Sequence, residues 1–438
     1  MVLTGLAWLA ESYKIDQPSV QIPFITNRWT VGIFFLIHII FGSFTMGSLV
    51  LGPTFEWIGV VRKDPRFERY ARALGNVNVK IFSLGATLGG FAVIVVTGLY
   101  PRFFVILITT FFWPAVIAFS IWFLTLIGLL TYNLRWDRFA TRKGLHIGIG
   151  YFTAATEHVF LFIIVALDSF LLTPGAGRGS GAFFNPSYWP ELGHRFIGNL
   201  SWASFFIAAV AAIYAAASRL PADRLYHHWA ARTSLVVGFL TLIPQIVLGA
   251  VFVESVKQAS PGAFQYSMQG PFAWHWLIQA MFLAILLIGT NLYFWQSRPS
   301  PPGLPLTVIV IVASLITMTP AALYPKHLFW LRYIALTVAV LLSLVHWLAS
   351  RPRVRVVTQD LRRSSQVTLA VTGMSAMLLF LLMGVIRTTA RSDYTIYGQL
   401  KEGDSYGDLP VTQQGVLPVT LLPQRLTRAK ARLALRAR

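Results

Sequence analysis

Ten apolar runs divide this chain, and each is close to the length that crosses a lipid bilayer. A hydrocarbon core about 30 Å thick is spanned by roughly 20 helical residues. The runs lie near residues 30–53, 76–100, 111–133, 146–172, 195–217, 233–253, 272–295, 304–324, 328–349 and 367–386. The pattern predicts an all-α, polytopic membrane bundle of about ten transmembrane helices.

Composition agrees with this fold class. Hydrophobic residues make up 55% of the 438 positions and charged residues 12%, and the mean hydropathy is +0.63. A soluble chain of this length needs more polar surface, so lipid is expected to cover much of this one. The first thirty residues lack a basic segment followed by a small-residue cleavage site, so we expect the first span to act as the insertion signal.

The net charge of +20 is explained by topology rather than by nucleic-acid binding. Basic residues crowd alternate connectors between the runs, and the other connectors hold few of them. The rich connectors carry Arg62, Lys63, Arg66, Arg69, Arg72, Arg135, Arg138, Arg142, Lys143, Arg219, Arg224, Arg232, Arg298, Arg351, Arg353, Arg355, Arg362 and Arg363, and the poor ones Arg102, Arg178, Lys257 and Lys326. The bias predicts that the N-terminus lies outside and that the connectors rich in basic residues lie on the cytoplasmic side of the membrane. We expect this membrane to be a bacterial inner membrane.

The chain contains no cysteine. This excludes disulfides, iron–sulfur clusters, covalently attached c-type heme and thiolate metal sites within it. Redox chemistry here needs histidine or methionine ligands, or belongs to partner subunits.

Four segments follow from the pattern: an outer N-terminal segment (1–29), a first group of helices (30–253), a second group (254–388) and an outer basic tail (389–438). The tail ends in Arg425, Arg428, Lys430, Arg432, Arg436 and Arg438. We expect it to lie on lipid headgroups, to dock on a partner, or to be a partly ordered terminus.

Four of the nine histidines share a depth near the predicted outer face. His38 is about eight residues from the outer end of the first run, so ~12 Å deep. His158 lies in the outer half of the fourth run, and His194 and His275 begin the fifth and seventh. Such imidazoles could be axial ligands of two hemes, or each could bond a neighbouring carbonyl instead.

The remaining ionisable groups in the runs are fewer. Glu157 adjoins His158 and is interpreted either as part of a proton route or as a structural partner of a basic side chain. Glu56 and Asp168 are expected to be shallow enough for solvation. The other five histidines are expected to be ordinary interfacial residues: His146, His227, His228, His327 and His346.

Several motifs occur in a characteristic order along the chain. The first run reads His38-Ile-Ile-Phe-Gly-Ser-Phe-Thr-Met-Gly-Ser-Leu and continues to Glu56. It is followed by Arg135-Trp-Asp-Arg138, by Ala166-Leu-Asp-Ser-Phe-Leu-Leu-Thr-Pro174, and by Ala390-Arg-Ser-Asp-Tyr394 with Ile396, Tyr397 and Gly398 after it. These motifs and their order resemble subunit I of cytochrome bd quinol oxidase. The resemblance implies that His38 binds an active-site heme. It also implies that His194 binds the low-spin heme b, opposite His275 or Met281.

The departures from that family concern oxygen chemistry. Its third helix carries glutamates for the oxygen-reducing heme and the proton path, whereas the run 111–133 has no acid, with Ile117 and Thr125 near the expected places. The run 367–386 lacks the family's heme-binding glutamate, and the connector Glu254–Gly270 is short for its quinol-binding loop. If His158 were a second axial ligand, the heme at His38 would have no free coordination position for a gas.

These features predict a heme b subunit of a respiratory electron-transfer complex, with one or two hemes. It would pass electrons between the quinone pool and periplasmic c-type cytochromes or iron–sulfur proteins, without oxygen reduction. Arg391, Arg195 and Arg178 have the depth to pair with heme propionates. Two alternatives stay open: a quinol:oxygen oxidoreductase with an altered proton path, and a heme-free membrane anchor or transporter.

Overall fold

The structure is a computed structural model, and it describes residues 24–175, 179–297, 302–320, 323, 325, 327–350 and 362–406. Most of the basic tail and Arg178 lie outside these residues. The described part contains thirteen α-helices: α1 (Asn27–Arg62), α2 (Pro65–Leu99), α3 (Pro101–Thr110), α4 (Phe112–Leu134), α5 (Lys143–Leu172), α6 (Ser180–Phe183), α7 (Tyr188–Ala217), α8 (Pro221–Ala259), α9 (Pro261–Met268), α10 (Trp274–Ser297), α11 (Gly303–Met318), α12 (Leu331–Ala349) and α13 (Arg363–Ala390).

The predicted all-α polytopic membrane bundle is confirmed. Nine of the described helices are long and apolar enough to cross a membrane, and α11 is a shorter apolar helix of 16 residues. Helix α3 and helix α9 are short pieces in two connectors of the predicted outer side. We use "outer" and "cytoplasmic" for the two ends of the bundle according to the orientation that the charge bias predicts.

Local signals explain where the first two helices begin and end. The Thr26 side chain accepts from Trp29 N at the start of α1, and Lys63 ends that helix in the left-handed region at φ 52°. Asp64 then caps α2, accepting from Arg66 N at 3.1 Å, and Pro65 occupies the first turn. Because this turn is so tight, α1 and α2 pack along each other as an antiparallel pair.

The main core lies where α1, α7, α8 and α13 meet. Trp202 of α7 contacts Phe44 of α1 at 6.0 Å between ring centroids and stacks on Phe380 of α13 at 4.8 Å. Glycines let the backbones approach closely: a Cβ at Gly47 would lie 2.3 Å from the Asn199 carbonyl oxygen. Close contact between small residues is how membrane helices associate when lipid gives no hydrophobic driving force.

The chain after α13 forms a small cap at the outer end. Strands β1 (Tyr394–Ile396) and β2 (Leu400–Lys401) pair antiparallel, and a 3₁₀ turn follows at Gly403–Tyr406. Tyr397 N donates to the Leu171 carbonyl at the end of α5 at 2.9 Å. The cap thereby fixes the outer ends of α5 and α13 relative to each other.

Candidate functional site

His38 is held against α2 by one ring nitrogen. Its Nδ1–H donates to the Gly85 carbonyl at 2.8 Å. Because a carbonyl only accepts, Nδ1 carries the proton and Nε2 carries the lone pair. A histidine that binds a metal usually donates its second nitrogen in this way, which fixes the tautomer and the ring plane. The geometry of His38 therefore fits a heme ligand.

His158 shows the same arrangement on α5. Its Nδ1–H donates to Ala154 O, one turn earlier, at 2.7 Å, and its ring packs edge-on against Phe196 of α7 at 4.8 Å. The lone pair again falls on Nε2. The structure holds His38 by α2 and His158 by its own helix and α7, and no hydrogen bond joins the two in the described chain. Their pairing on one iron stays a prediction.

His194 lies between α7 and α8. Gln245 Nε2 of α8 lies 3.0 Å from His194 Nε2, so the amide donates to the ring, and Nδ1 is left buried without a partner. A Cβ at Gly249 would lie 3.1 Å from the ring, so glycine provides the room for it. A buried N–H without an acceptor is costly, and since the lone pair on Nε2 faces the Gln245 amide, iron would bind His194 there only after that amide had moved away.

His275 and Met281, the candidates opposite His194, both lie on α10. His275 is 4% exposed, stacks on Phe272 and lies tilted against Trp274, and its Nδ1 is also buried without a partner. Met281 is half-buried. The structure places His194 against Gln245 rather than against α10, so its partner on the iron stays a prediction.

Four charged side chains at the outer end form what we call the outer ionic cluster: Asp168 of α5, Glu191 and Arg195 of α7, and Arg387 of α13. Arg195 Nε donates to Glu191 Oε1 at 2.9 Å, and Arg387 Nη1 lies 3.0 Å from the same oxygen. Both arginines also pair with Asp168. Asp168 was expected to be solvated; its side chain is 26% exposed, and it also pairs with two guanidinium groups.

The contacts of this cluster distinguish two of the three predicted propionate partners, Arg195 and Arg391; the third, Arg178, lies outside the described residues. Arg195 already has two carboxylate partners inside the protein. Arg391 donates Nη1 to the Thr395 carbonyl at 2.6 Å, while its Nε is buried without a partner. A guanidinium with a free, buried N–H suits a carboxylate group better than one that is already neutralised. Arg391 is thus the stronger candidate.

A second polar cluster lies at the cytoplasmic end, where solvated or interfacial residues were expected. Glu56 is fully buried and accepts from Tyr132 Oη at 2.9 Å and from His146 Nδ1 at 2.8 Å. His146 is 1% exposed, and its Nε2 lies 2.8 Å from the Tyr132 carbonyl. Because a carbonyl only accepts, His146 Nε2 carries a proton, and its Nδ1 shares a hydrogen bond with the Glu56 carboxyl group. Lys143 lies nearby and also binds Glu68 at 2.6 Å.

Of the other histidines expected at the interface, His346 is also buried, at 1% exposure. Its Nδ1 lies 3.0 Å from Asn291 Oδ1, and its Nε2 has no partner. His227 and His228 are half-buried and His327 is exposed, in agreement with the expectation.

Glu157 is the buried acid closest to the candidate ligands in sequence. Its side chain is 3% exposed, lies next to Thr125 of α4, and leaves Oε2 without a partner. Thr125 is itself fully buried and donates to Thr156 Oγ1 of α5 at 3.0 Å. No basic side chain is bonded to Glu157 in the described residues, so the structural alternative of a salt bridge is not realised there.

A family model for cytochrome bd terminal oxidase subunit I matches residues 26–270, which is more than half of the chain. The chain belongs to this family. Its membership makes it a heme-binding membrane subunit of a respiratory, multi-subunit complex. No curated protein matches the chain.

The fold is similar to that of a bd oxidase from Geobacillus thermodenitrificans. The TM-score is 0.61 at 14% identity, covering 94% of this chain and 96% of that one. At this identity the likeness shows the fold alone. It extends the family's fold over α10 to α13, which the family model does not reach.

Glu191 and Arg387 were missed by sequence reasoning, although a signal was present. Glu191 and Arg195 are spaced i, i+4 at the outer end of α7, whereas Arg387 had only its position at the end of an apolar helix as a signal. Opposite charges at that spacing on one helix face attract each other. The contact between the two helices, however, does not follow from spacing.

Proposed function

We propose that this member of the cytochrome bd subunit I family is a heme b subunit that carries electrons without reducing oxygen. It passes them between the quinone pool and periplasmic partners such as c-type cytochromes or iron–sulfur proteins, in a bacterial inner membrane. One observation carries the proposal: α4 (Phe112–Leu134) contains no Asp, Glu, His, Lys or Arg. Reduction of oxygen to water needs protons at a buried site, and such a helix does not deliver them.

The chain's own residues suit electron transfer. Heme bound here would supply one-electron redox chemistry. His38 and His158 each fix one ring nitrogen on a backbone carbonyl, which leaves the other nitrogen for iron. Two imidazoles on one iron would exclude a gas ligand. His194, with His275 or Met281, would hold a second heme, and Arg391 would neutralise a propionate.

One observation favours a second candidate, a quinol:oxygen oxidoreductase with an altered proton path. Glu157 of α5 lies against Thr125 of α4. It thus places a carboxyl group beside the helix that lacks one, where it could carry protons. The two candidates differ in what happens after quinol reduces the protein.

Oxygen uptake and heme absorbance, recorded together on the purified complex, test the proposal. We expect quinol to reduce the heme, oxidised c-type cytochrome to reoxidise it, and quinol alone to support no oxygen uptake. Oxygen uptake that Glu157→Gln abolishes and Glu254→Gln leaves intact would favour the oxidase instead; Glu254 is an exposed acid on α8. A colourless complex would favour a heme-free anchor or transporter.

A further inference from the structure

Glu191 has one bonded and one bare carboxyl oxygen. It lies in the first turn of α7, one helical turn before His194, and is 1% exposed. Oε1 accepts from Arg195 at 2.9 Å and faces Arg387 at 3.0 Å, whereas Oε2 is buried without a partner. A desolvated carboxylate oxygen with no hydrogen bond is costly. The ionised form of Glu191 is therefore stabilised by its partners at Oε1 but not at Oε2.

The charges around Glu191 are closely balanced. The groups that face it are Asp168 from α5, Arg195 from its own helix, and Arg387 and Arg391 from the end of α13. Two acids and two arginines cancel within the outer ionic cluster, and Arg391 adds one positive charge. Desolvation and Asp168 favour the neutral carboxyl group, while the arginines favour the charged one. An electron arriving nearby adds negative charge and shifts this balance toward the neutral form.

We propose that Glu191 is the redox-linked proton site of the heme that His194 would hold. Heme held by His194 would accept one electron from a quinol or a reduced c-type cytochrome, and Glu191 Oε2 would bind one proton from a hydronium ion of the outer aqueous phase. One O–H bond of hydronium breaks as the Glu191 O–H bond forms, and the proton would return to water when the heme gives up the electron. The proposal rests on the proposed function, because it needs heme at His194.

The position of the cluster defines where the proton comes from. The Asp168 and Arg195 side chains are 26% and 22% exposed, so the cluster reaches the surface at the outer end of the bundle. Glu191 lies behind them at the start of α7. Proton exchange therefore occurs with the predicted outer side and does not require a path across the bilayer.

Spectropotentiometric titration of the intact complex at several pH values tests the proposal. In the wild-type protein, the midpoint potential of the heme held by His194 is expected to fall as the pH rises. The largest expected slope corresponds to a tenfold change in the equilibrium constant per pH unit, which is about 59 mV for one electron. Glu191→Gln should remove this dependence, and Glu191→Asp should retain it. Glu254→Gln is the matched control, because Glu254 is an exposed acid outside the cluster.

A redox difference infrared spectrum supplies an independent readout. Reduction should produce the C=O stretching band of a protonated carboxyl group, which isotope-labelled glutamate shifts and Glu191→Gln lacks. The label shows that the band belongs to glutamate rather than aspartate, and its loss in Glu191→Gln together with its retention in Glu157→Gln assigns it to Glu191. An unshifted band, or an unchanged pH dependence in Glu191→Gln, would overturn the proposal.

These measurements distinguish a failure of this proposal from a failure of the proposed function. A colourless preparation overturns both. A heme with a pH-independent potential overturns the redox-linked proton site alone.

Discussion

Gly89 of α2 faces the His38 ring, and an alanine at this position should displace it. The new Cβ would lie 2.7 Å from Cε1 and 3.0 Å from Nδ1 of His38, so the ring must move by about 0.7 Å to reach an ordinary 3.4 Å contact. That movement strains the 2.8 Å hydrogen bond to Gly85 O. Overpacking of this kind costs ~1–3 kcal/mol, and loss of an outer-shell bond weakens metal binding roughly 10–100-fold.

The amount of heme bound per polypeptide, measured as pyridine hemochrome, shows whether this displacement weakens heme binding. We expect Gly89→Ala to bind less heme than the wild type. Gly90→Ala is the matched control, since a Cβ at Gly90 would meet nothing within 4 Å. Thermal unfolding of both variants shows whether the bundle is intact. Equal heme contents in the two variants would refute the assignment of His38 as a ligand.

Three further predictions concern other parts of the chain. His194→Ala should remove the low-spin heme signal from the reduced spectrum and leave the remaining heme in place; an unaltered spectrum would exclude His194 as a ligand. His146→Ala should lower the free energy of unfolding by ~1–3 kcal/mol, because it removes the 2.8 Å hydrogen bond of a fully buried Glu56 oxygen; a thermal-unfolding midpoint like that of wild type would argue against a contribution from this bond. Asp64→Asn keeps a capping side chain but removes a partly exposed ion pair with Arg66, so at neutral pH it should cost less than ~1 kcal/mol. The Arg66 hydrogen bond lowers the pKa of Asp64, so this contribution is present above the unfolded pKa of about 3.9 and disappears as pH falls through the lower folded pKa. Stability that differs equally from wild type at acid and neutral pH would contradict this reasoning.

The sequence predicts the spans well because length and apolarity are local properties. The run near 304–324 shows the limit: the described helix α11 ends at Met318 and has 16 residues. Helix ends depend on caps and packing as well as on apolarity. The run near 233–253 differs in the opposite direction, because the helix is longer than the run: α8 covers Pro221–Ala259 and includes polar turns at both ends.

Contacts between spans could not be predicted. Glu56 lies near a helix end in sequence, yet Tyr132 and His146 from two other helices cover it completely. Likewise, the Nδ1 bond of His38 depends on Gly85, whose position opposite the ring follows only from how α1 and α2 pack. The depth of a residue follows from its place in a run, whereas its partners follow from tertiary packing.

A pyridine hemochrome assay on the purified complex, with carbon monoxide added to the reduced protein, tests the central claim most directly. We expect b-type heme, held by histidines on separate helices, and a reduced spectrum that carbon monoxide does not change. A heme spectrum that shifts with carbon monoxide would show an open iron site and contradict the loss of oxygen chemistry. A colourless protein would contradict the electron-carrier function itself.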